Sequence, residues 1–422
     1  MKILFLTIGS FDDFEAGSVH IDVVKTLARK GHLVYVACTN PQPDAEPVSM
    51  DQKAGVHLLR IKTGSVKQNT NLFKKGIATI MLESTFIKAI KKCLSDVKFD
   101  LVLYHTPPVT FEKVVRFIKE RDGAASYLLL KDIFPQNAVD LGMMSKKGLK
   151  GIVYHYFRRK EKNLYALSDY IGCMSPANVQ YLLEHNPYIS PERVEVAPNS
   201  IEAPCPPKGE NFEKESEVRE NNERYHIREK YNLPIDKPVF IYGGNLGKPQ
   251  GIDYLISCLD AVKDRTDCCF LIVGSGSEYS KLQQWYKHQS SDTVRIFPSL
   301  PKDDYDMLVR SCDVGLIFLD HRFTIPNYPS RLLSYLENKM PIICATDVNT
   351  DIGKIAEENG YGYWCESVRP EDFVDLVDRM LKSDMKAMGI RGYDFLCKHY
   401  LAEHTCNAIL KHFKISNEQN ND

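Results

Sequence analysis

The sequence predicts an α/β protein built from two doubly wound, Rossmann-like domains, and three observations carry that reading. The chain has 422 residues, more than one hydrophobic core usually serves. Apolar runs of strand length alternate with amphipathic helical stretches in both halves. A stretch from Glu202 to Glu229, rich in Pro, Glu, Lys, Asn and Arg and nearly free of aliphatic residues, separates the two alternations.

The first alternation opens with Ile3–Ile8, a continuous apolar run expected of a strand buried on both faces of a parallel sheet. A loop through Gly9, Asp12, Asp13 and Gly17 leads to a helix over about Val19–Lys30, whose apolar stripe is Val23, Val24, Leu27 and Ala28. Gly31 stands where a helix ends, and Leu33–Ala37 is the next strand. Val56–Ile61, Leu101–Tyr104, Tyr127–Leu130, Tyr170–Met174 and Val194–Val196 read as further strands. The second alternation places strands at Val239–Tyr242, Phe270–Val273, Val294–Phe297, Val314–Phe318 and Ile342–Ala345. The segment from Met388 to Phe413 reads as one helix. The expected division is therefore 1–201, a linker or insertion 202–236, a second domain 237–387, and a terminal helix 388–422. In open parallel sheets ligands bind where strands end, so function belongs in the loops that follow strands.

Net charge is −1, which by itself calls for no nucleic-acid or membrane partner. The halves differ: residues 1–200 carry +7 and the remainder −8. Twelve cysteines occur with no CxxC pair and no zinc-like spacing, so a reducing compartment and no metal site are expected. The opening run is short and soon followed by acidic residues, unlike a signal peptide, and no run of 18 apolar residues occurs. The protein reads as cytoplasmic.

Three segments of the second half carry chemistry. Gly243-Gly244-Asn245-Leu246-Gly247-Lys248-Pro249-Gln250-Gly251 follows a strand and precedes a helix, where free N–H groups suit a phosphate and Lys248 adds a charge. No Gly-Lys-Ser/Thr closes it, so it is not a P-loop, and a tight turn that needs glycine is the plainer alternative. Gly274-Ser275-Gly276 forms a second such turn. The third segment begins a helix with Ser330 as expected N-cap and Arg331 in the first turn, where a cation opposes the helix dipole unless an anion neutralises it. A solvated Arg is the competing explanation.

Taken in order and spacing, these segments resemble glycosyltransferase family 4 of the GT-B fold, in particular the branch that builds bacterial capsule and O-antigen polysaccharides. Tyr242 through Asp253 looks like that branch's Gly-Asn-Leu-Gly-x-x-Gln-Gly signature, and Pro329-Ser-Arg331 through Ala345 like its Pro-Ser-Lys/Arg helix and following strand. Gly17-Ser-Val-His20, Gly31-His32, Lys131-Asp-Ile-Phe-Pro135 and Ala197-Pro-Asn-Ser-Ile201 fit the same branch. The resemblance implies two domains facing each other across a cleft, with the nucleotide in the second and the terminal helix 388–422 crossing back to the first. It also implies metal-independent, retaining transfer from a nucleotide-diphosphate sugar, here favoured as UDP-linked, with no cofactor beyond that donor. The acceptor would be a saccharide or a polyprenyl-diphosphate-linked saccharide bound by the first domain. The sequence departs from the family where Asn245, Gln250, Pro326, Ser334 and Lys131 replace the usual Arg, Lys, two Glu and His.

On this reading the donor is held by Gly17, Ser18, His20, Gly244, Asn245, Gly247, Gly274, Gly276, Ser330, Ser334 and Glu337. Lys248 and Arg331 stabilise the leaving diphosphate and Asp132 orients the acceptor, while His105, at a strand end, either serves the acceptor site or is simply hydrogen-bonded in the rigid turn before Pro107 and Pro108. A sugar-nucleotide epimerase of the same fold, or a non-catalytic partner subunit, are the alternatives. One more segment stands out: between Gly64 and Leu94 lysines 67, 74, 75, 88, 91 and 92 interleave with apolar residues. It reads either as a helix packed on the first domain with solvated lysines or as a peripheral contact with an anionic membrane face.

Overall fold

The computed structural model of the chain describes residues 1–11, 14, 17–40, 42, 44–63, 72–203, 222–289 and 291–413, leaving aside the side chains of 72–80 and 150. The chain divides into two compact units, Met1–Glu202 with Tyr400–Asp422, and Ala203–His399.

In the first unit strands β1 (Lys2–Leu6), β2 (Leu33–Asn40), β3 (Val48–Lys53), β4 (Val56–Lys62), β5 (Leu101–Thr106), β6 (Ala125–Leu130), β7 (Tyr170–Cys173) and β8 (Val194–Val196) form one sheet, ordered β3-β4-β2-β1-β5-β6-β7-β8. All pairs are parallel except β3 with β4. β1 is the centre because its residues from Ile3 to Leu6 are wholly buried, as a strand covered on both faces must be. Helix α1 (Val19–Arg29) lays Val23, Val24 and Leu27 on that sheet, and Gly31 at φ +85° turns the chain back into β2. Helices α2 (Leu72–Cys93), α3 (Glu112–Asp122), α4 (Gln136–Asp140), α5 (Gly148–Leu167) and α6 (Pro176–His185) fill the other connections.

The second unit begins with helix α7 (222–230) and continues through β9 (Val239–Asn245), α8 (Ile252–Val262), β10 (Cys269–Ser275), α9 (Tyr279–Lys287), β11 (Val294–Phe297) and α10 (Lys302–Ser311). β12 (Val314–Phe318), α11 (Arg331–Glu337), β13 (Ile342–Thr346), α12 (Ile352–Glu358), β14 (Gly362–Glu366), α13 (Pro370–Leu381) and α14 (Met385–His399) follow. Its sheet is entirely parallel and ordered β11-β10-β9-β12-β13-β14, the doubly wound order with its switch point between β9 and β12. Those two strands pair only at Val314 with Phe240 and Gly315 with Ile241. Beyond that point they part.

Several expectations are corrected. β3 is an exposed, polar edge strand, so it lacks the apolar alternation that would reveal it, and it is joined to β4 by the positive-φ pair Ala54 and Gly55. β14 was likewise not foreseen. Residues 204–221 of the expected linker lie outside the described residues, but α7 belongs to the second unit. Its Arg228 is fully buried, donating to the carbonyls of Ser311, Pro234 and Lys237 and pairing with Asp313 at 2.7 Å. The expected single terminal helix is two. α14 stays with the second unit because Gly389 and Gly392 let it lie close on Lys339 and Leu336. The helix is interrupted at Tyr400 and Leu401, and α15 (Ala402–Leu410) buries Ala402, Thr405, Cys406 and Ile409 in the first unit, where it packs on α1.

Of the basic stretch, Lys67 and the side chains of Phe73, Lys74, Lys75, Ile77 and Ile80 lie outside what is described. In the remainder of α2, Leu82, Phe86, Ala89 and Ile90 are buried while Lys88, Lys91 and Lys92 are exposed. Glu83 is buried and paired with Lys160 at 3.1 Å. This part of the helix is a core element with solvated lysines.

Candidate functional site

In the second unit the three loop segments meet at the carboxyl edge of the sheet. β9 and β10 stay in register as far as Gly244 with Gly274 and Asn245 with Ser275. Gly274 is glycine because a Cβ there would run into the Gly244 carbonyl, and one at Gly276 would strike the Leu246 carbonyl. The second glycine turn therefore exists to let the first loop lie against it. Within the first loop, Gln250 Oε1 accepts from Asn245 Nδ2 (2.9 Å) and from the Gly247 N–H (3.1 Å), and the Asn245 carbonyl accepts from the Tyr242 hydroxyl (2.6 Å). The Gly247 N–H, expected to meet a phosphate, is thus engaged inside the loop. Gly244 and Asn245 remain exposed, as does Lys248, whose ammonium makes no hydrogen bond or ion pair among the described residues while its carbonyl accepts from the Gly251 N–H (3.0 Å).

Arg331 is the electrostatic centre of this cluster. Its guanidinium stacks on the Tyr242 ring, 4.2 Å from the centroid, and a methyl at Gly244 would stand 3.5 Å from its Nη2. Nη1 is sealed from solvent and has no hydrogen-bond partner. The ionisable groups that act on it are the phenols of Tyr242, Tyr335 and Tyr305, and no carboxylate pairs with it among the described residues. A guanidinium keeps its charge at all physiological pH, so this is a fixed, half-buried and uncompensated cation beside an open glycine loop. Tyr335, one turn after Arg331, fills the split in the sheet. Its hydroxyl accepts from the Gly243 N–H (3.2 Å) and lies 3.2 and 3.3 Å from the carbonyls of Ile241 and Leu316. Gly315 makes room for that ring.

One expectation on α11 is corrected, that of Ser330 as its N-cap. Ser330 has helical angles (φ −66°, ψ −17°) and makes no capping bond, because the chain already turns at Pro329, whose carbonyl accepts from Leu332. Glu337 lies six residues beyond Arg331, about 9 Å along the axis, on the part of the helix that leads back to the amino end of β13. It is exposed. Ser334 is half-buried on the intervening turn, and its carbonyl accepts from Asn338.

The first unit gathers its own set at the ends of β1, β5 and β6. Gly17 (φ +62°) is followed by Ser18, whose Oγ accepts from the Ile21 N–H (3.3 Å) and caps α1. The His20 ring stacks on His105 with centroids 4.0 Å apart and planes 17° from parallel. His105 Nε2 is 2.8 Å from Thr7 Oγ1, while His20 Nδ1 is buried without a partner. Burial, then His105 and Lys131, hold the His20 pKa well below its ordinary value, so the ring is neutral. Lys131 reaches the Ala197 carbonyl (3.0 Å), and burial lowers its pKa to about 7. Asp132 receives both hydrogen bonds of the Asn137 amide (2.8 and 3.0 Å), yet burial raises its pKa to about 6. The Thr106 hydroxyl donates to the Asp132 carbonyl (3.0 Å), tying the ends of β5 and β6 together.

Sequence reasoning missed the tyrosine wall around Arg331, the Thr7–His105 link and the Asn137 clamp. Tyr335 stands at the i+4 spacing from Arg331 and was legible on that ground; Tyr305, from α10, carries no local signal.

Comparisons with known proteins agree with this geometry. The Glycosyltransferase Family 4 model matches residues 16–203, and the Glycosyl transferases group 1 model matches residues 223–394. The chain is 25% identical over 328 residues, 76% of each chain, to the probable glycosyltransferase WbjE of Pseudomonas aeruginosa. It is 24% identical over 131 residues, 31% of this chain and 32% of the relative, to the putative colanic acid biosynthesis glycosyl transferase WcaI of Escherichia coli K12. Among solved structures, HepE of Anabaena in complex with UDP superimposes with a TM-score of 0.64 at 12% identity, over 98% of this chain and 99% of that one. With a glycosyltransferase model matching each half and the GT-B fold shared along nearly its whole length, the chain belongs to glycosyltransferase family 4 and is a GT-B glycosyltransferase.

Proposed function

We propose that this transferase takes a sugar from a UDP-linked donor held by its second unit. It passes the sugar, with retention and without a metal ion, to a saccharide acceptor that is lipid-linked, in the assembly of a cell-surface polysaccharide. The observation that carries the reading is Arg331: a permanent cation with no carboxylate partner among the described residues, held on Tyr242 beside the open Gly244 loop. As the bond to the sugar breaks, the leaving diphosphate gains negative charge, and a pre-placed cation stabilises that charge with no reorganisation. Lys248, exposed on the same loop, adds a second positive charge. UDP bound to HepE and the colanic acid biosynthesis in the name of WcaI support the choice of donor and pathway class.

In the first unit the neutral His20 ring and its stacked neighbour His105 offer hydrogen bonds to sugar hydroxyls. Asp132 is ionised above about pH 6 and would orient the acceptor hydroxyl as its proton leaves. A thermal-shift panel of UDP-, GDP- and dTDP-sugars tests the donor, since a ligand of the native state raises the melting temperature. Stabilisation by GDP- or dTDP-sugars and not by UDP-sugars would overturn the donor. Release of an altered nucleotide sugar without any acceptor would overturn transfer.

A further inference from the structure

In the first unit, α5 presents an apolar face to solvent. Leu149 is 86% exposed and Ile152 67%, with Val153 and Tyr156 also exposed. These positions follow the i, i+3, i+4, i+7 spacing that places four side chains on one side of a helix. The opposite side is the structural one, where Tyr154, Glu161, Leu164 and Tyr165 are buried. Met143, in the turn before the helix, is 51% exposed.

The surroundings of this face are basic. From Leu141 to Ser168 the sequence is rich in Lys and Arg and holds one acidic residue, Glu161. Glu161 is buried and occupied by Arg158 and the Tyr165 hydroxyl. Lys160 is turned inward to Glu83 and Glu112. Lys146, Lys147, Arg159 and Lys162 are all exposed around the apolar face.

We propose that this face of α5 is a docking surface for an anionic lipid bilayer. A helix with an apolar stripe and flanking cations lies in the interface plane with its side chains a few ångströms into the acyl boundary. Tyr156 is of the amphipathic type that settles at headgroup level. Each basic residue near an anionic surface is worth roughly a fivefold gain in partitioning. A two-fold contact with a second copy is disfavoured by the same charges, because it would bring both sets of cations together. The helix α2, from which the lysine pattern of the sequence pointed to a membrane, has its described apolar side chains largely buried and is not the surface proposed.

The test uses the full chain and needs neither donor nor acceptor, so its outcome is separate from the transferase reading. Sedimentation is measured with vesicles of phosphatidylcholine alone and with added phosphatidylglycerol, at low and high salt. The wild type is expected to bind only the anionic vesicles, and less at high salt. I152E/V153E and K146E/K147E should each reduce binding by about tenfold or more. K88E/K91E/K92E on α2 should bind as the wild type does. As a check independent of charge reversal, L149W should show a blue shift of the added tryptophan emission on anionic vesicles. The proposal falls if the wild type ignores anionic vesicles, if both α5 variants bind unchanged, or if only the α2 variant loses binding. It falls equally if I152E/V153E splits a dimer while vesicle binding persists.

Discussion

Replacing Arg331 by Met separates a ligand-binding cation from a structural one. In the unliganded protein the guanidinium has one sealed nitrogen without a partner and, among the described residues, no carboxylate paired with it. An unsatisfied buried donor costs about 1–3 kcal/mol. Its stacking on Tyr242 at 4.2 Å returns about 1–2 kcal/mol. Methionine keeps the stem of the side chain and removes the guanidinium, losing the stacking and the unsatisfied donor together, so the unliganded R331M protein should melt within a few degrees of the wild type. Donor binding should respond very differently. A charge-assisted contact is worth about 1.5–3 kcal/mol, which is roughly ten- to a hundredfold in affinity. At UDP about a hundredfold over Kd the wild type gains about 2.7 kcal/mol of stability, and an about thirtyfold weaker variant at the same concentration gains about 0.9. Scanning calorimetry with and without UDP reads both quantities. If R331M melts far below the wild type yet keeps the full UDP-dependent gain, Arg331 is a packing residue and the donor site has been misplaced.

Asp132 gives a pH signature. Its folded pKa of about 6 lies above the ordinary 3.8, so the folded state holds the proton longer and stability declines as pH rises from about 4 to 6, then levels off. A carboxyl displaced that far changes stability by at most roughly 3 kcal/mol across the window, and D132N should remove that part of the slope in melts at about pH 4.5 and pH 7 while lowering turnover with acceptor. Arg228→Met should destabilise the second unit by about 1–3 kcal/mol, because it removes the donor to the carbonyls of Ser311, Pro234 and Lys237 while Asp313 keeps Arg224 and the Val239 N–H; a urea midpoint equal to the wild type would contradict the burial argument. Transfer should persist in excess EDTA, since fixed cations are assigned the charge of the leaving diphosphate; full loss restored by Mg²⁺ or Mn²⁺ would refute it.

Central strands were legible in the sequence because a parallel strand buried on both faces must be continuously apolar, as Ile3–Leu6 and Val239–Tyr242 are. The glycine loops were legible as loops for the same local reason. Their purpose was not. That Gly274 is small so that Gly244 can lie against it, and that Gln250 consumes the Gly247 N–H, depends on contacts between segments that no local pattern encodes. The edge strand β3 escaped notice because an edge exposed to water needs no apolar alternation.

Arg331 shows the division most clearly. Its place at the start of a helix after a strand, where a cation opposes the dipole, was readable from sequence alone and marked it as an anion contact. Only the folded chain shows that β9 and β12 part at the switch point, that Tyr335 fills the gap, and that Tyr242 and Tyr305 surround the guanidinium where a carboxylate would have neutralised it. The same holds for Lys131 and Asp132: their identities are local, but their shifted acidities come from burial, which is decided by how distant strands and helices close around them. Sequence determines where the chain turns and which faces are apolar, because those depend on neighbours within a few residues. Tertiary structure decides which polar groups are left without partners, and the chemistry resides in those groups.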